Sequence, residues 1–170
     1  MKKLLFFATI TMLLISGCTK EKNQNTVLLP GRCRISCSIG GALSGNYKSD
    51  DGYSFSAYNS TSMVLDAVYI NNSTSTREDA SLLIPVTITA GTYHLNDLGA
   101  PNISFKYLKK NIYSYDDRIW NAGTGSNFTV NITKVSYAEI EGTFSGTAIN
   151  SSDSSKISIT NGNFYAIFSH

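Results

Sequence analysis

The chain has 170 residues, which is enough for one domain and short for two. Only 15% of the residues are charged, and Ser, Thr, Asn and Gly take their place, which argues against helix surfaces and favours strands and turns. The 14 basic residues fall to 12, equal to the 12 acidic ones, if Lys2 and Lys3 are removed with an N-terminal segment. A neutral mature chain lacks the basic surface that nucleic-acid binding requires, so no nucleic-acid partner is expected.

The N-terminal segment, residues 1–17, is typical of a secretory signal peptide. Two lysines precede an apolar run over residues 4–15, which is shorter than the roughly 20 residues of a membrane-spanning helix. The run ends in Ile15-Ser16-Gly17-Cys18, which resembles the lipobox of bacterial lipoproteins. The resemblance implies that a diacylglycerol is attached to the Cys18 thiol and that the new N-terminus is acylated, for example with palmitate. The alternative is an ordinary signal peptide with a coincidental cysteine.

Residues 18–30 are predicted to form a flexible polar tether, because TKEKNQNT at 19–26 has no apolar period. The folded domain is then expected at residues 31–170. The lipid anchor makes a membrane the first expected partner, since several acyl chains together give stable attachment. The expected location is the cell envelope, with the protein anchored in the outer membrane and facing the periplasm or the outside.

Past residue 18 the sequence alternates apolar and polar residues with the period of strands. In the first two thirds, this alternation predicts strands at 32–39, 53–58, 63–69 and 103–107, and a short strand after Gly91. The more continuously apolar run at 82–88 indicates a further strand. Pro85, inside the run 82–88, indicates an edge strand or a bulge.

The C-terminal third carries the clearest strand pattern. Apolar or small residues alternate there with Thr, Ser and Asn in several groups: Phe128, Val130 and Ile132; Ile140, Gly142, Phe144, Gly146 and Ala148; Ile157 and Ile159; Phe164, Ala166 and Phe168. Asn161-Gly162 predicts a two-residue hairpin turn, because both residues tolerate positive φ. With about eight to ten short strands, the predicted fold class is all-β, a single antiparallel β-sandwich or open barrel.

Three elements of the chain also resemble a known family. Gly142-Thr143-Phe144 and, after a loop, Ile159-Thr160-Asn161-Gly162-Asn163-Phe164 are similar to the C-terminal pattern of small lipoproteins of Bacteroidota that carry a domain of unknown function. Gly91-Thr92-Tyr93 is similar to an element in the middle of that domain. The resemblance covers residues from about 32 to 168. It implies the same all-β fold and an envelope location, and it indicates no catalytic residue in this chain.

Cys33 and Cys37 remain once Cys18 is lipidated, and they are candidates for a disulfide in an oxidising compartment. Four residues of extended strand separate Cα atoms by about 13 Å, however, whereas a disulfide needs less than about 7 Å. Two half-buried thiols on one strand face are the alternative. The pair lacks the two further ligands of a zinc site, and no metal or other cofactor is expected.

No sequence pattern marks a catalytic centre. His94 has no Ser or Cys placed beside it, and His170 is the last residue, so no catalytic residue is predicted and the chain is expected not to be an enzyme. A cryptic site would require Asp66, Glu139 or Glu141 to gather with His94 in one cleft.

The segment 105–120, FKYLKKNIYSYDDRIW, is the candidate ligand platform. It combines aromatic rings, which stack on sugar rings, with side chains that bond hydroxyl groups; the candidates are Tyr107, Tyr113, Tyr115, Trp120, Asp116 and Arg118. Alternatively, these aromatics pack in the core beside a charged turn, or contact another protein. The sequence therefore predicts a lipid-anchored envelope protein that is a non-enzymatic binding or structural module, or alternatively a glycan-binding accessory lipoprotein. The partner would be a glycan or an envelope protein.

Overall fold

The computed structural model describes residues 31–49, 53–114 and 117–169, so the predicted signal peptide and tether lie outside the described residues. The described chain forms one antiparallel sheet that curls strongly into a half-barrel, which confirms the predicted all-β class. No helix in these three ranges is long and apolar enough to cross a membrane. The strands are β1 (Arg32–Gly41), β2 (Gly45–Lys48), β3 (Phe55–Tyr58), β4 (Ser62–Asn71), β5 (Thr76–Pro85), β6 (Gly91–His94), β7 (Ser104–Asn111), β8 (Arg118–Ala122), β9 (Phe128–Val135), β10 (Glu139–Ile149) and β11 (Lys156–Ile167).

The sheet branches at β10. Its main path runs in the order β2-β1-β11-β10-β8-β7-β5-β4-β3. One edge of β10 is long enough for two partners, because β9 pairs with residues 140–146 while β8 meets the strand at Ile149. β6 extends the branch by pairing with β9. As a result, β6, β9, β10, β11 and β1 form a continuous five-stranded part of the sheet.

Buried serines of β3 and the residue before it bring the far end of the curled sheet against β1. The Ser56 N–H donates to the Gly31 carbonyl at 2.8 Å, and the Ser56 hydroxyl donates to the Ile167 carbonyl at 2.7 Å. The Ser54 hydroxyl accepts from the Val68 N–H at 3.2 Å. Both serines are buried, whereas Phe55 between them is 46% exposed, so small hydroxyl side chains face inward here. They fit where two strand edges meet, and they satisfy backbone groups at that junction.

Four phenylalanine rings from four strands form the centre of the core. Phe105, Phe128, Phe144 and Phe164 are each at most 3% exposed, and their neighbouring ring centroids lie 5.2 to 6.4 Å apart. These distances are those of favourable aromatic packing. The inward faces predicted for the C-terminal third are therefore confirmed.

Phenylalanine and glycine face each other across the central strands. Gly142 of β10 lies opposite Phe164 of β11, and Phe144 of β10 lies opposite Gly162 of β11. A Cβ atom added at Gly142 would lie 2.5 Å from the Phe164 ring, and one added at Gly162 would lie 2.6 Å from the Phe144 ring. Each ring therefore occupies the space that a side chain on the opposite strand would need. We call these contacts the reciprocal Phe–Gly pairs.

The hairpin predicted at Asn161-Gly162 is wrong, because β11 continues through both residues. Two residues of β11 lie opposite one residue on each neighbouring strand. On the β1 side, Ser36 pairs with Asn163 and Ser38 pairs with Thr160, so Asn161 and Gly162 lie opposite Cys37 alone. The extra residue of β11 forms a β-bulge, in which Asn161 has a φ of 52°. Asn tolerates positive φ in a bulge as well as in a turn. The bulge forms here because β1 and β10 pair with β11 on both sides of Asn161. The loop 150–155 makes the turn between β10 and β11 instead.

Other strand predictions differ from the structure mainly at their ends. The short strands β2 and β8 were not predicted, and β5 begins six residues before the apolar run 82–88. β5 starts with Thr76-Arg77-Glu78-Asp79, and these four polar residues show no apolar alternation from which a strand could be predicted. Pro85 is the last residue of β5, a position where its missing N–H costs little.

We predict that Gly142→Ala destabilises the domain by about 1 to 3 kcal/mol, because the new methyl would overlap the Asn131 carbonyl and the Phe164 ring. Gly40→Ala is the matched control, since a Cβ there meets nothing within 4 Å. Its effect should stay within about 0.5 kcal/mol. Thermal unfolding followed by circular dichroism measures both variants. Equal midpoints for the two would mean that the reciprocal Phe–Gly pairs do not constrain the fold.

Candidate functional site

Two members of the predicted aromatic platform lie inside the half-barrel. Tyr107 and Trp120 face each other across β7 and β8, each 1% exposed, with ring centroids 6.1 Å apart. The Trp120 Nε1–H donates to the Ser155 hydroxyl at 3.1 Å, so its polar edge is satisfied internally. The platform prediction is wrong for these two residues, because buried rings offer no face to a ligand. The period of β7 places Tyr107 on the same side as the core residue Phe105.

The other two described members of the predicted platform, Tyr113 and Arg118, are exposed. Tyr113 is 86% exposed in the turn after β7, and Arg118 is exposed at the start of β8. Tyr115 and Asp116 lie outside the described residues. The segment 105–120 therefore has a core part and an exposed part.

A charged network, not predicted from the sequence, covers the buried tyrosine. The Glu78 carboxylate accepts from the Tyr107 hydroxyl at 2.7 Å and from the Lys109 ammonium group at 2.6 Å. Glu78 and Lys109 are directly opposite each other on β5 and β7, and Arg118 of β8 follows in the same row. Burial raises the pKa of Tyr107, and the hydrogen bond to Glu78 adds to the rise. The network satisfies the hydroxyl of the buried Tyr107 and the Glu78 carboxylate.

Cys33 and Cys37 are buried free thiols on β1, so the structure has the separate thiols and not the disulfide. Both point into the core with Ile35 between them, as alternation along an extended strand requires. Burial raises the pKa of the Cys37 thiol to about 12, and the charge of Glu78 contributes.

The residues considered for a cryptic catalytic site do not meet. Asp66 lies on β4, Glu139 and Glu141 lie on β10, and His94 lies on the short strand β6. The His94 Nδ1 atom is 2.9 Å from the Thr129 hydroxyl, and the pair is exposed. His170 lies outside the described residues, and within the described ranges no three His, Cys, Asp or Glu side chains form a group that would hold a metal ion.

The five-stranded part of the sheet carries a row of uncharged polar residues on its outer face. Strand register places them directly opposite one another, from β6 to β1: Thr92, Asn131, Thr143, Asn163 and Ser36. A second, shorter row runs beside it through His94, Thr129 and Ser145. The sequence indicates the outward position of each residue through alternation, but the strand order brings them together.

Where the two rows meet the bulge in β11, the outer face has an open depression of about 370 Å³, which we call the bulge trough. Its polar lining consists of Thr129, Asn131, Thr143, Ser145, Asn161 and Asn163, with Phe144 and Gly162 completing it. None of these side chains titrates, so the trough offers hydrogen bonds and no acid, base or nucleophile with a shifted pKa.

Hydrogen bonds within the face orient the amides around the trough. Thr92 donates from its hydroxyl to the Asn131 Oδ1 atom at 3.1 Å, and the Asn163 Nδ2 group donates to the Asn161 carbonyl at 2.8 Å. The Thr143 and Ser145 hydroxyls have no hydrogen-bond partner among the described residues. The trough thus combines oriented amides with hydroxyls available to a ligand.

These features define an all-β half-barrel domain with an uncharged polar trough on its outer face. The chain belongs to the family described as Domain of unknown function (DUF6252), whose model matches residues 45–168. This confirms the predicted membership in a family with a domain of unknown function. The match begins at β2 and leaves out β1, although β1 pairs with both β2 and β11. Neither the search of curated proteins nor the search of solved structures returned a match.

We predict that Cys33 and Cys37 resist Ellman's reagent in the native protein at pH 8, because both are buried and the pKa of Cys37 is about 12. The assay uses the Cys18→Ala variant, so that only these two thiols are counted. After unfolding in guanidinium without reductant, two thiols should react. A count of zero after unfolding would reveal a disulfide and contradict the structure.

We predict that Trp120→Ala destabilises the domain by about 3 to 5 kcal/mol, because it removes a fully buried ring and its hydrogen bond to Ser155. Tyr113→Ala removes an aromatic residue of the same segment that is 86% exposed, and should change stability by less than about 0.5 kcal/mol. Denaturant titration followed by circular dichroism compares the two. If both variants unfold like the wild type, Trp120 is not a core residue.

Proposed function

We propose that this chain is a cell-envelope lipoprotein of the Bacteroidota type, attached to the outer membrane through lipid on Cys18. The observation that carries the proposal is the order of its N-terminal features: two lysines, an apolar run over 4–15, and Ile15-Ser16-Gly17-Cys18. The chemistry favours cysteine at the last position, because a thiolate is a strong nucleophile for lipid transfer. Residues 18–30 then serve as a tether that holds the half-barrel away from the membrane surface.

We propose further that the half-barrel is a non-enzymatic binding module. Its support is the bulge trough, whose lining residues form hydrogen bonds but do not titrate. The buried polar groups of the domain are hydrogen-bonded, since no buried side-chain nitrogen or oxygen atom in the described ranges lacks a hydrogen-bond partner. A neutral, hydrogen-bonding surface of this kind suits recognition of a ligand or of another envelope component.

The second candidate function, glycan binding through the segment 105–120, loses its main support. Stacking on a sugar requires accessible rings, and Tyr107 and Trp120 are each 1% exposed. A glycan-binding role for this chain must therefore rest on a different surface.

We predict that labelled fatty acid is incorporated by the wild type and by Cys33→Ala, but not by Cys18→Ala. Cys33→Ala is the matched control, because it removes a cysteine of the same chain and leaves Cys18 in place. Metabolic labelling in a bacterial host that processes lipoproteins, followed by immunoprecipitation, provides the measurement. Equal labelling of the Cys18→Ala variant would refute lipid attachment at this residue.

A further inference from the structure

We propose that the bulge trough binds a neutral oligosaccharide. This inference rests on the binding role proposed above and names the ligand class and the residues that contact it. It is independent of the segment 105–120, since the trough lies on the outer face of β9, β10 and β11.

The absence of charge from the lining selects the ligand class. The six polar residues of the bulge trough are Asn, Thr and Ser, and each presents groups that donate and accept hydrogen bonds. Sugar hydroxyls have the same dual capacity, so a neutral sugar can pair with such a surface without desolvating an ion. An acidic ligand would find no cation in the lining to offset the cost of losing its water.

Free hydrogen-bonding capacity is concentrated at the centre of the trough. The Asn131 Oδ1 atom is occupied by Thr92, which leaves the two Asn131 N–H donors without a partner among the described residues. Thr143, on the adjacent strand and directly opposite Asn131, contributes a hydroxyl with no internal partner. A single sugar residue over this pair would contact donors and acceptors from two strands at once.

The spacing of the polar groups suits an extended chain of sugars. Neighbouring strands lie about 4.8 Å apart, and alternate residues along one strand lie roughly 6.8 Å apart. The lining residues of β9 and β10 thus form a regular grid on the outer face, and the bulge in β11 interrupts it beside Asn161. The depression of about 370 Å³ lies within the range of small-ligand sites.

The fold also holds the trough in shape before a ligand arrives. The bulge at Asn161 borders the depression, and Gly162 lines it with backbone atoms only. On the opposite face, the ring of Phe144 lies over Gly162 and pins β10 to β11. A ligand therefore orders few side chains on binding, which lowers the entropic cost of association.

The test is calorimetric titration of the full-length protein in a detergent without a sugar headgroup. The probes are neutral hexasaccharides of glucose (α- and β-linked), mannose and xylose, with hexagalacturonate as the acidic comparison. At least one neutral probe should bind with a Kd of about 1 mM or tighter, and hexagalacturonate should bind more weakly. The double variant Asn131→Ala/Thr143→Val should weaken binding of the neutral probe about tenfold or more.

Thr147→Val is the matched control, because it makes the same chemical change on the outward side of β10 but outside the trough. It should alter affinity by less than about twofold. The inference is overturned if no neutral probe binds, if hexagalacturonate binds more tightly, or if the double variant binds as the wild type does. Fatty-acid labelling at Cys18 is a separate measurement. If the protein is labelled but binds no sugar, the oligosaccharide site is refuted and the lipoprotein proposal stands.

Discussion

The contact between phenylalanine rings and glycines across β10 and β11 is the constraint on which both faces of the sheet depend. Gly142 and Gly162 each leave room for the ring opposite, and any side chain at either position would collide with it. A third contact of this kind places Phe128 of β9 against Gly146 of β10. The rings meet in the centre of the core, so the register of three adjacent strands is tied to the packing of the whole half-barrel.

The same contacts determine which side chains lie on the outer face, because side chains alternate along a strand. When Gly142 and Phe144 face the core, Thr143 must face outward between them, and the same holds for Asn163 between Gly162 and Phe164. Slipping the register by one residue would turn the polar row inward and bury it without partners. The same contacts that stabilise the core therefore position the bulge trough.

Two regions of the curled sheet use polar residues in different ways. Near β1, buried Ser54 and Ser56 satisfy backbone groups and let strand edges approach closely. At the Glu78 network, a carboxylate, an ammonium group and a tyrosine hydroxyl satisfy one another above the aromatic core. Both arrangements satisfy polar groups in the interior, whereas the trough on the outer face is lined by uncharged polar side chains.

Local sequence patterns alone establish the all-β class, the inward faces of the C-terminal third and the motif at Cys18, because period and local motifs are properties of neighbouring residues. They do not determine the partner of each strand. Asn161-Gly162 has the local chemistry of a hairpin turn, and only the uninterrupted strands on both sides make it a bulge.

Strand pairing also sets which side chains are exposed on the surface. Tyr107 and Trp120 look like a ligand platform along the chain, but pairing of β7 with β8 buries them together. Thr143 and Asn163 lie in separate sequence elements, and the order of β9, β10 and β11 joins them with Asn131 in one row. Contacts between residues distant along the chain depend on strand order and register, and local alternation carries no information about either.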